Sequence, residues 1–454
     1  LDLDQTLSQQ SASSLDVDGR SIPSYQEIKE KRRAIRRQLI LQEPSLSKQL
    51  LSNPVTILAV SAKLQVDEAL IKFSRPNDGP LTVWEVTQAG YKFLVLETDA
   101  SELKNLVATV RASLSQESIT SPLDIRPYET EVAYNIYMKI WEPLEKHLQA
   151  IKRVYVLPTD ELGAIPLEVL PVDRPSAAVI SPLDFSSYRD LTWLNDRYEF
   201  VYPTSVGSFV RKNPKISTNK LSFLGVGNPV VAAATVSAKV EDTFAELALK
   251  GYVSRSPIHD LLPLPQSETQ LRALADVFDH RPKLLLGRDA LESNLYKLKL
   301  RAYSVIAFAT HGVMSDSAGA EASLILSPPE FFTAKEDGIL TTSEIARLDL
   351  SADLVILSAC NTATETETRG LNSIAASFTH AGARNVLASH WSIEVNATTQ
   401  LLSSFARLLI EEPELKVSGA LQAARSNMIH DSPNLFNPHP MFWGAFTLKG
   451  VSVN

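Results

Sequence analysis

His311 and Cys360 are the two side chains in this sequence whose types, neighbours and spacing could together do covalent chemistry. Each ends a short apolar run. Ser304-Val-Ile-Ala-Phe-Ala-Thr310 is β-branched and aromatic, too short for an ordinary helix, and stops at His311-Gly312. Asp353-Leu-Val-Ile-Leu-Ser-Ala359 has the same character and stops at Cys360-Asn361-Thr362, ahead of the polar stretch Ala363 to Arg369. A thiolate is a strong nucleophile, and an imidazole titrating near neutrality can exchange protons with the thiol and with a leaving amine. Backbone N–H groups at the ends of the two strands could hold the oxyanion of a tetrahedral intermediate, with Gly312 permitting close approach. The chemistry implied is acyl transfer through a thioester.

Such residues need elements to position them. Near-continuous apolar runs separated by helical segments predict a parallel sheet covered on both faces, where ligands bind beyond the carboxyl ends of the strands. His311 and Cys360 then share one edge. Earlier strands are expected at 221–227 and 284–286, with helices at 267–278 and 290–299. After Cys360 come a helix at 371–381 with Leu371, Ile374, Ala375 and Phe378 on one face and a strand at 386–389. Helices at 396–410 and 415–429 and a last strand near 442–448 follow. Crossovers between the parallel strands should be right-handed.

The front of the chain reads differently. Residues 1–22 are Ser-, Asp- and Gln-rich and predict a disordered leader; 23–52 predict a helical arm whose Lys29, Lys31, Arg32, Arg33, Arg36 and Arg37, interleaved with Glu27 and Glu30, form a solvated face. Runs at 68–73, 81–86 and 91–96, parted by Pro- or Gly-containing turns, predict an antiparallel meander. Helices at about 100–114 and 129–148 and a strand at 153–158 follow. The divisions expected are 1–52, 53–204 and 205–454.

Composition narrows the function. A chain of 454 residues, 44% hydrophobic and 21% charged, is ordinary for a soluble globular protein. A formal charge of −8 argues against nucleic acid as main partner, because phosphate binding needs a concentrated basic face. No apolar run approaches the roughly 20 residues needed to span a bilayer, and no signal-peptide layout opens the chain, so a cytoplasmic location without membrane contact is expected. A single cysteine excludes an intramolecular disulfide and Cys-rich zinc sites. A lone cysteine is by default a small buried hydrophobe; its strand-end position and the matching histidine favour a nucleophile.

Ala309-Thr-His-Gly312, Gly338-Ile-Leu-Thr-Thr-Ser-Glu-Ile-Ala346, Leu354-Val-Ile-Leu-Ser-Ala-Cys-Asn-Thr362, Gly382-Ala-Arg-Asn-Val-Leu-Ala-Ser389 and Trp443-Gly-Ala-Phe446 resemble, in order, the motifs of the CHAT family. These are caspase-like cysteine peptidases related to separase and often fused to tetratricopeptide repeats. The 49 residues from His311 to Cys360 match the spacing of about 50 found in caspases. The resemblance implies an α/β fold: a caspase-like, mostly parallel sheet flanked by helices, preceded by a smaller, inactive pseudo-caspase subdomain. It also implies a His311/Cys360 dyad, an oxyanion hole from the backbone of Gly312 and Cys360, no cofactor, a protein substrate, and a possible activating protein acting through upstream tetratricopeptide repeats. Where family members often carry Gly after Cys-Asn-Thr, this chain reads Ala363-Thr-Glu-Thr-Glu-Thr368; where they read close to Leu-Trp-x-Val-Asp-Asp, it has His390-Trp-Ser-Ile-Glu-Val395. Trp391 and the retained acidic residue Glu394 are candidate substrate-binding residues, Glu394 suiting a P1 Arg or Lys.

Competing assignments are weaker. Asn361 and Asp316 are candidate orienters of His311, while Asp353 opens its strand on the far edge. His380 and His390 have no second pair at metal spacing, so no metal is expected. Gly225-Val-Gly227 lacks the third glycine of a dinucleotide fingerprint, and no Gly-x-Ser-x-Gly elbow supports a serine hydrolase. A regulatory scaffold that binds proteins through a catalytically silent or activator-dependent caspase-like domain is the alternative to an endopeptidase.

Overall fold

Residues 55–76, 79–116, 119, 121–175, 184–211, 222–230, 261, 263–278, 281–313, 321–331, 333, 336–358, 365–391 and 394–450 are described by the computed structural model, with backbone only for 365–370. The chain divides into two units, Leu1–Thr56 and Ile57–Asn454; the fold below is that of the second. The expected leader and helical arm lie outside the described residues.

The front meander forms as the turn-separated runs predict. Strands β1 (Glu68–Ser74), β2 (Leu81–Thr87) and β3 (Gly90–Leu96) pair antiparallel, with Leu70 opposite Val86 and Val83 opposite Leu94. Helix α1 (Ala100–Leu114) is capped by Asp99, whose carboxylate accepts from the N–H of Glu102 at 2.8 Å. Helix α2 (Thr130–Ile140) stops short of the expected 148. Pro143 has no N–H to give the carbonyl of Lys139 and its ring crowds that turn, so the helix breaks at Trp141 and a separate turn, Glu142–Glu145, follows. Strands β4 (Arg153–Leu157) and β5 (Glu199–Val201) add in parallel, giving the order β3-β2-β1-β4-β5.

The second sheet begins with β6 (Phe223–Gly227). Helix α3 (Pro265–Phe278), β7 (Lys283–Leu286) and β8 (Val305–Ala309) follow. A small antiparallel sheet of β9 (Gly312–Val313), β10 (Ser323–Ile325) and β11 (Ile339–Thr341) interrupts the alternation. It resumes with β12 (Leu354–Leu357), α4 (Glu365–Ala381), β13 (Asn385–Ser389), α5 (Val395–Glu411), α6 (Val417–Ser426) and β14 (Phe446–Gly450). The order is β14-β13-β12-β8-β6-β7, parallel throughout except for β14. Leu371, Ile374, Ala375 and Phe378 bury together against Ile306, Phe308 and Val386, the Phe308 and Phe378 rings 5.3 Å apart. The chain is therefore a mixed α/β protein with a mostly parallel sheet flanked by helices.

Further expected elements differ. The helix expected at 290–299 is only a turn, Glu292–Tyr296, because the buried Glu292 carboxylate turns to accept the N–H groups of Asp337 and Gly338, both at 2.8 Å. Helix α6 runs 417–426 rather than 415–429 and widens into a turn at Asn427–Asp431. The last strand starts at Phe446, not 442, since Pro440 opens a helical turn, Pro440–Trp443, capped by His439.

The two sheets meet edge to edge. Tyr202, just past β5, bridges in parallel to Lys449 on β14, and its N–H donates to the carbonyl of Leu448 at 2.8 Å.

Candidate active site

In parallel strands, register decides which ends lie together. Gly227 pairs with Ala309, Phe308 with Leu357, and Leu357 with Ala388, so β6, β8, β12 and β13 end on one edge. The residues that follow them there are Asn228, Thr310-His311-Gly312, Ser358 and His390-Trp391.

His311 is buried, at 9% exposure, and its backbone is held on both sides. Its carbonyl accepts from Ile325 N–H at 2.8 Å, the Thr310 hydroxyl donates to the carbonyl of Ile325, and Gly312 pairs with Leu324. The hairpin partner β10 thus clamps the segment carrying the imidazole. Beneath it, Gly227 faces the carbonyl of Ala309 so closely that a Cβ there would lie 2.6 Å from the oxygen. The next residue, Asn228, turns the chain with φ of 48° and donates its N–H to Ser267 Oγ at 2.9 Å.

The end of β12 is equally fixed. Ser358 N–H donates to Phe308 O at 2.9 Å, and Ser358 Oγ sits against the amide of Gln270, 2.9 Å from Nε2 and 3.2 Å from Oε1. Cys360 and Asn361, the second and third residues beyond, lie outside the described residues, as does Asp316.

Trp391 and Glu394, the candidate substrate-binding residues, stand just beyond β13 and at the start of α5. Trp391 is fully buried, its indole N–H donating to Met441 O at 2.8 Å and its ring covered by the Arg111 guanidinium at 5.1 Å. Glu394 is exposed at the start of α5 and caps it, accepting from Ala397 N–H at 3.0 Å and from Asn396 Nδ2 at 2.8 Å. Asp353 lies at the opposite edge of β12, 3.0 Å from Arg384 Nη1. The His390 ring is buried against Thr447 Oγ1 at 2.9 Å, and burial, then the charges of Lys449, Arg111 and Arg425, hold its pKa well below the usual histidine range. Among the described residues no cluster of three His, Cys, Asp or Glu could hold a metal, and no helix is long and apolar enough to cross a membrane.

Gln270, Ser358 and Arg111 carry structural duties here that the sequence reading did not assign. Gln270 had one signal: an amide on the otherwise apolar face of Leu271, Leu274 and Ala275. Arg111 had none; it donates to Ala164 O at 3.1 Å and to the carbonyl of His390, tying α1 to the segment before Trp391.

Fold and register define an α/β protein in which β6, β8, β12 and β13 end on one edge. The model of the CHAT domain family matches residues 130–451, and the chain belongs to that family. No curated protein matches it. Among solved structures, it is similar to the separase of Saccharomyces cerevisiae in complex with securin, at 10% identity and TM-score 0.42, covering 87% of this chain and 30% of that one. It is also similar to the Arg-specific cysteine proteinase gingipain R, at 10% identity and TM-score 0.38, covering 78% and 74%. The chain spans less than a third of the length of the separase chain.

Proposed function

We propose that the chain is a cysteine endopeptidase acting on a protein substrate. His311 polarises the scissile carbonyl or protonates the leaving amine, Cys360 attacks to form a thioester, and water deacylates it. Gly312 and Cys360 N–H groups hold the oxyanion, and Asn361 or Asp316 orients the imidazole. Residues 205–454 are the catalytic part and 53–204 a non-catalytic part packed against it. Regulation by a partner, reached through a repeat module elsewhere in the protein, accords with the family.

The observation that supports this most is the register of β8 and β12. Phe308 lies opposite Leu357, and His311 and Cys360 are each the third residue beyond. Two parallel strands so aligned end on the same edge, which supports reading His311 and Cys360 as a base and a nucleophile acting together there. A panel of peptidyl acyloxymethyl ketones differing at P1, with the adduct located by peptide mass, tests it. Labelling at Cys360 that depends on P1 and disappears in His311→Ala is expected. A thiol that reacts with a small alkylator but with no member of the panel would count against a working peptidase and for a binding scaffold.

A further inference from the structure

Where the two sheets meet, Tyr202 and Thr204 beyond β5, Thr447 and Lys449 on β14, and Asn372 and Ser373 on α4 line a cavity of about 350 Å³. Its chemistry is unusual in one respect. Lys449 is 5% exposed, and a buried ammonium is costly unless acceptors replace its water. No acceptor lies within hydrogen-bonding distance of Nζ among the described residues; its contact is the face of Tyr202, 5.0 Å away. Thr159, on the same wall at the end of β4, buries a hydroxyl oxygen that also has no hydrogen-bond partner.

The surrounding charge does not balance. Glu168 is the carboxylate that attracts Lys449, but it already accepts from Arg425 Nη1 at 2.9 Å and from the Tyr202 hydroxyl at 2.5 Å. Arg425, Arg111 and Lys449 all act on the buried His390 ring. Two of these cations, Arg425 and Lys449, thus share the one buried carboxylate of Glu168, and Asp160 stands exposed at the rim. Burial lowers the Lys449 pKa to about 8, with Glu168 opposing.

We propose that this cavity binds a small ligand bearing an anionic oxygen group, a carboxylate or a phosphate monoester, whose charge is met by the Lys449 ammonium. Thr447 and Ser373 supply hydroxyls within the same walls, and Leu157 and Ile165 give an apolar surface for the remainder of the ligand. The volume falls in the range of about 300–1,000 Å³ usual for small-molecule sites. This reading rests on Lys449 and its surroundings and does not require peptide hydrolysis.

The test uses the full chain at pH 7 with inorganic phosphate and benzoate as probes, ionic strength being held constant with sodium chloride. At least one probe should raise the thermal midpoint saturably, and which one does so separates a phosphate site from a carboxylate site. Lys449→Met should weaken that effect at least tenfold. Ser373→Trp, an exposed change on the rim that leaves the ammonium in place, should do the same and decides the matter if Lys449→Met fails to fold. Reductive methylation of Lys449, followed by peptide mass, should slow when the probe saturates. Neither probe acting beyond the chloride control, or equal action on both variants and the parent, overturns the proposal.

Discussion

Gln270 and Ser358 meet twice, the amide Nε2 of Gln270 donating to Ser358 Oγ at 2.9 Å while Oγ also lies 3.2 Å from Oε1. The contact fastens α3 to the end of β12 two residues ahead of Cys360. Gln270→Leu should preserve the apolar packing of that helix face and remove the tie. A loss of about 1–2 kcal/mol is expected in urea unfolding, since a neutral hydrogen bond is replaced and one hydroxyl loses its partner. If Cys360 is the nucleophile, labelling by an acyloxymethyl ketone should slow at least tenfold relative to labelling by iodoacetamide. Equal slowing of both reagents would mean that Ser358 does not orient the segment.

The seam between the sheets holds a buried ion pair, Arg425 Nη1 to Glu168 Oε1 at 2.9 Å, with side chains 2% and 0% exposed. Removing one partner of such a pair leaves an uncompensated charge and typically costs about 3–5 kcal/mol. Arg425→Met should therefore lower unfolding stability by that order. Arg425→Met combined with Glu168→Gln should recover at least half of the loss, because the second change removes the stranded charge. A double variant as unstable as the sum of the singles would show that packing of the long Arg425 side chain, rather than charge, dominates.

Much of this organisation was legible in the sequence, for a physical reason. The runs ending at Ala309 and Leu357 are continuously apolar because both faces of their sheet are covered, and the spacing of Leu371, Ile374, Ala375 and Phe378 is the helical period of a buried stripe. What stayed hidden depends on contacts between distant parts of the chain. Gln270 and Ser358 are 88 residues apart and Arg111 and His390 are 279 apart, so no local pattern reports them. Trp391 is a candidate by its motif, while the Arg111 guanidinium over its ring comes from far along the chain. Lys449 has no local signal of burial; it is buried because Tyr202 brings β5 alongside β14.

The pH dependence of stability has a traceable contributor in His439. The ring is fully buried, Nδ1 accepting from Met441 N–H at 3.1 Å and Nε2 lying 3.1 Å from the carbonyl of Arg126, which fixes the neutral Nε2–H form. Burial lowers its pKa from 6.5 to about 3. Between those values the unfolded chain binds a proton that the folded chain does not, so stability is lost as pH falls from 6.5 toward 3. The slope for one such group approaches about 1.4 kcal/mol per pH unit. His439→Asn, which can still cap the turn at Pro440 without titrating, should flatten the dependence by that amount. His390 contributes with the same sign in both proteins, so the difference between the two curves, measured by urea unfolding from pH 7 to 4, isolates His439. Superimposable curves would mean that the ring is not buried neutral.

Gly227 tests whether the close approach of β6 to β8 positions His311. A Cβ at 227 would stand 2.6 Å from Ala309 O and 2.6 Å from Leu271 Cδ1; the side chain can turn away, but the carbonyl belongs to the strand that carries the imidazole. Gly227→Ala should cost about 1–3 kcal/mol, as overpacking in a filled core does. It should also slow ketone labelling of Cys360 if His311 assists it. Gly207→Ala is the control, since its nearest atom would be Ser205 Oγ at 3.7 Å within the short helix Val206–Val210. That change should be neutral or stabilising by up to about 1 kcal/mol. A Gly227→Ala protein as stable and as readily labelled as the control would show that β8 has room to shift and that His311 is not held by this contact.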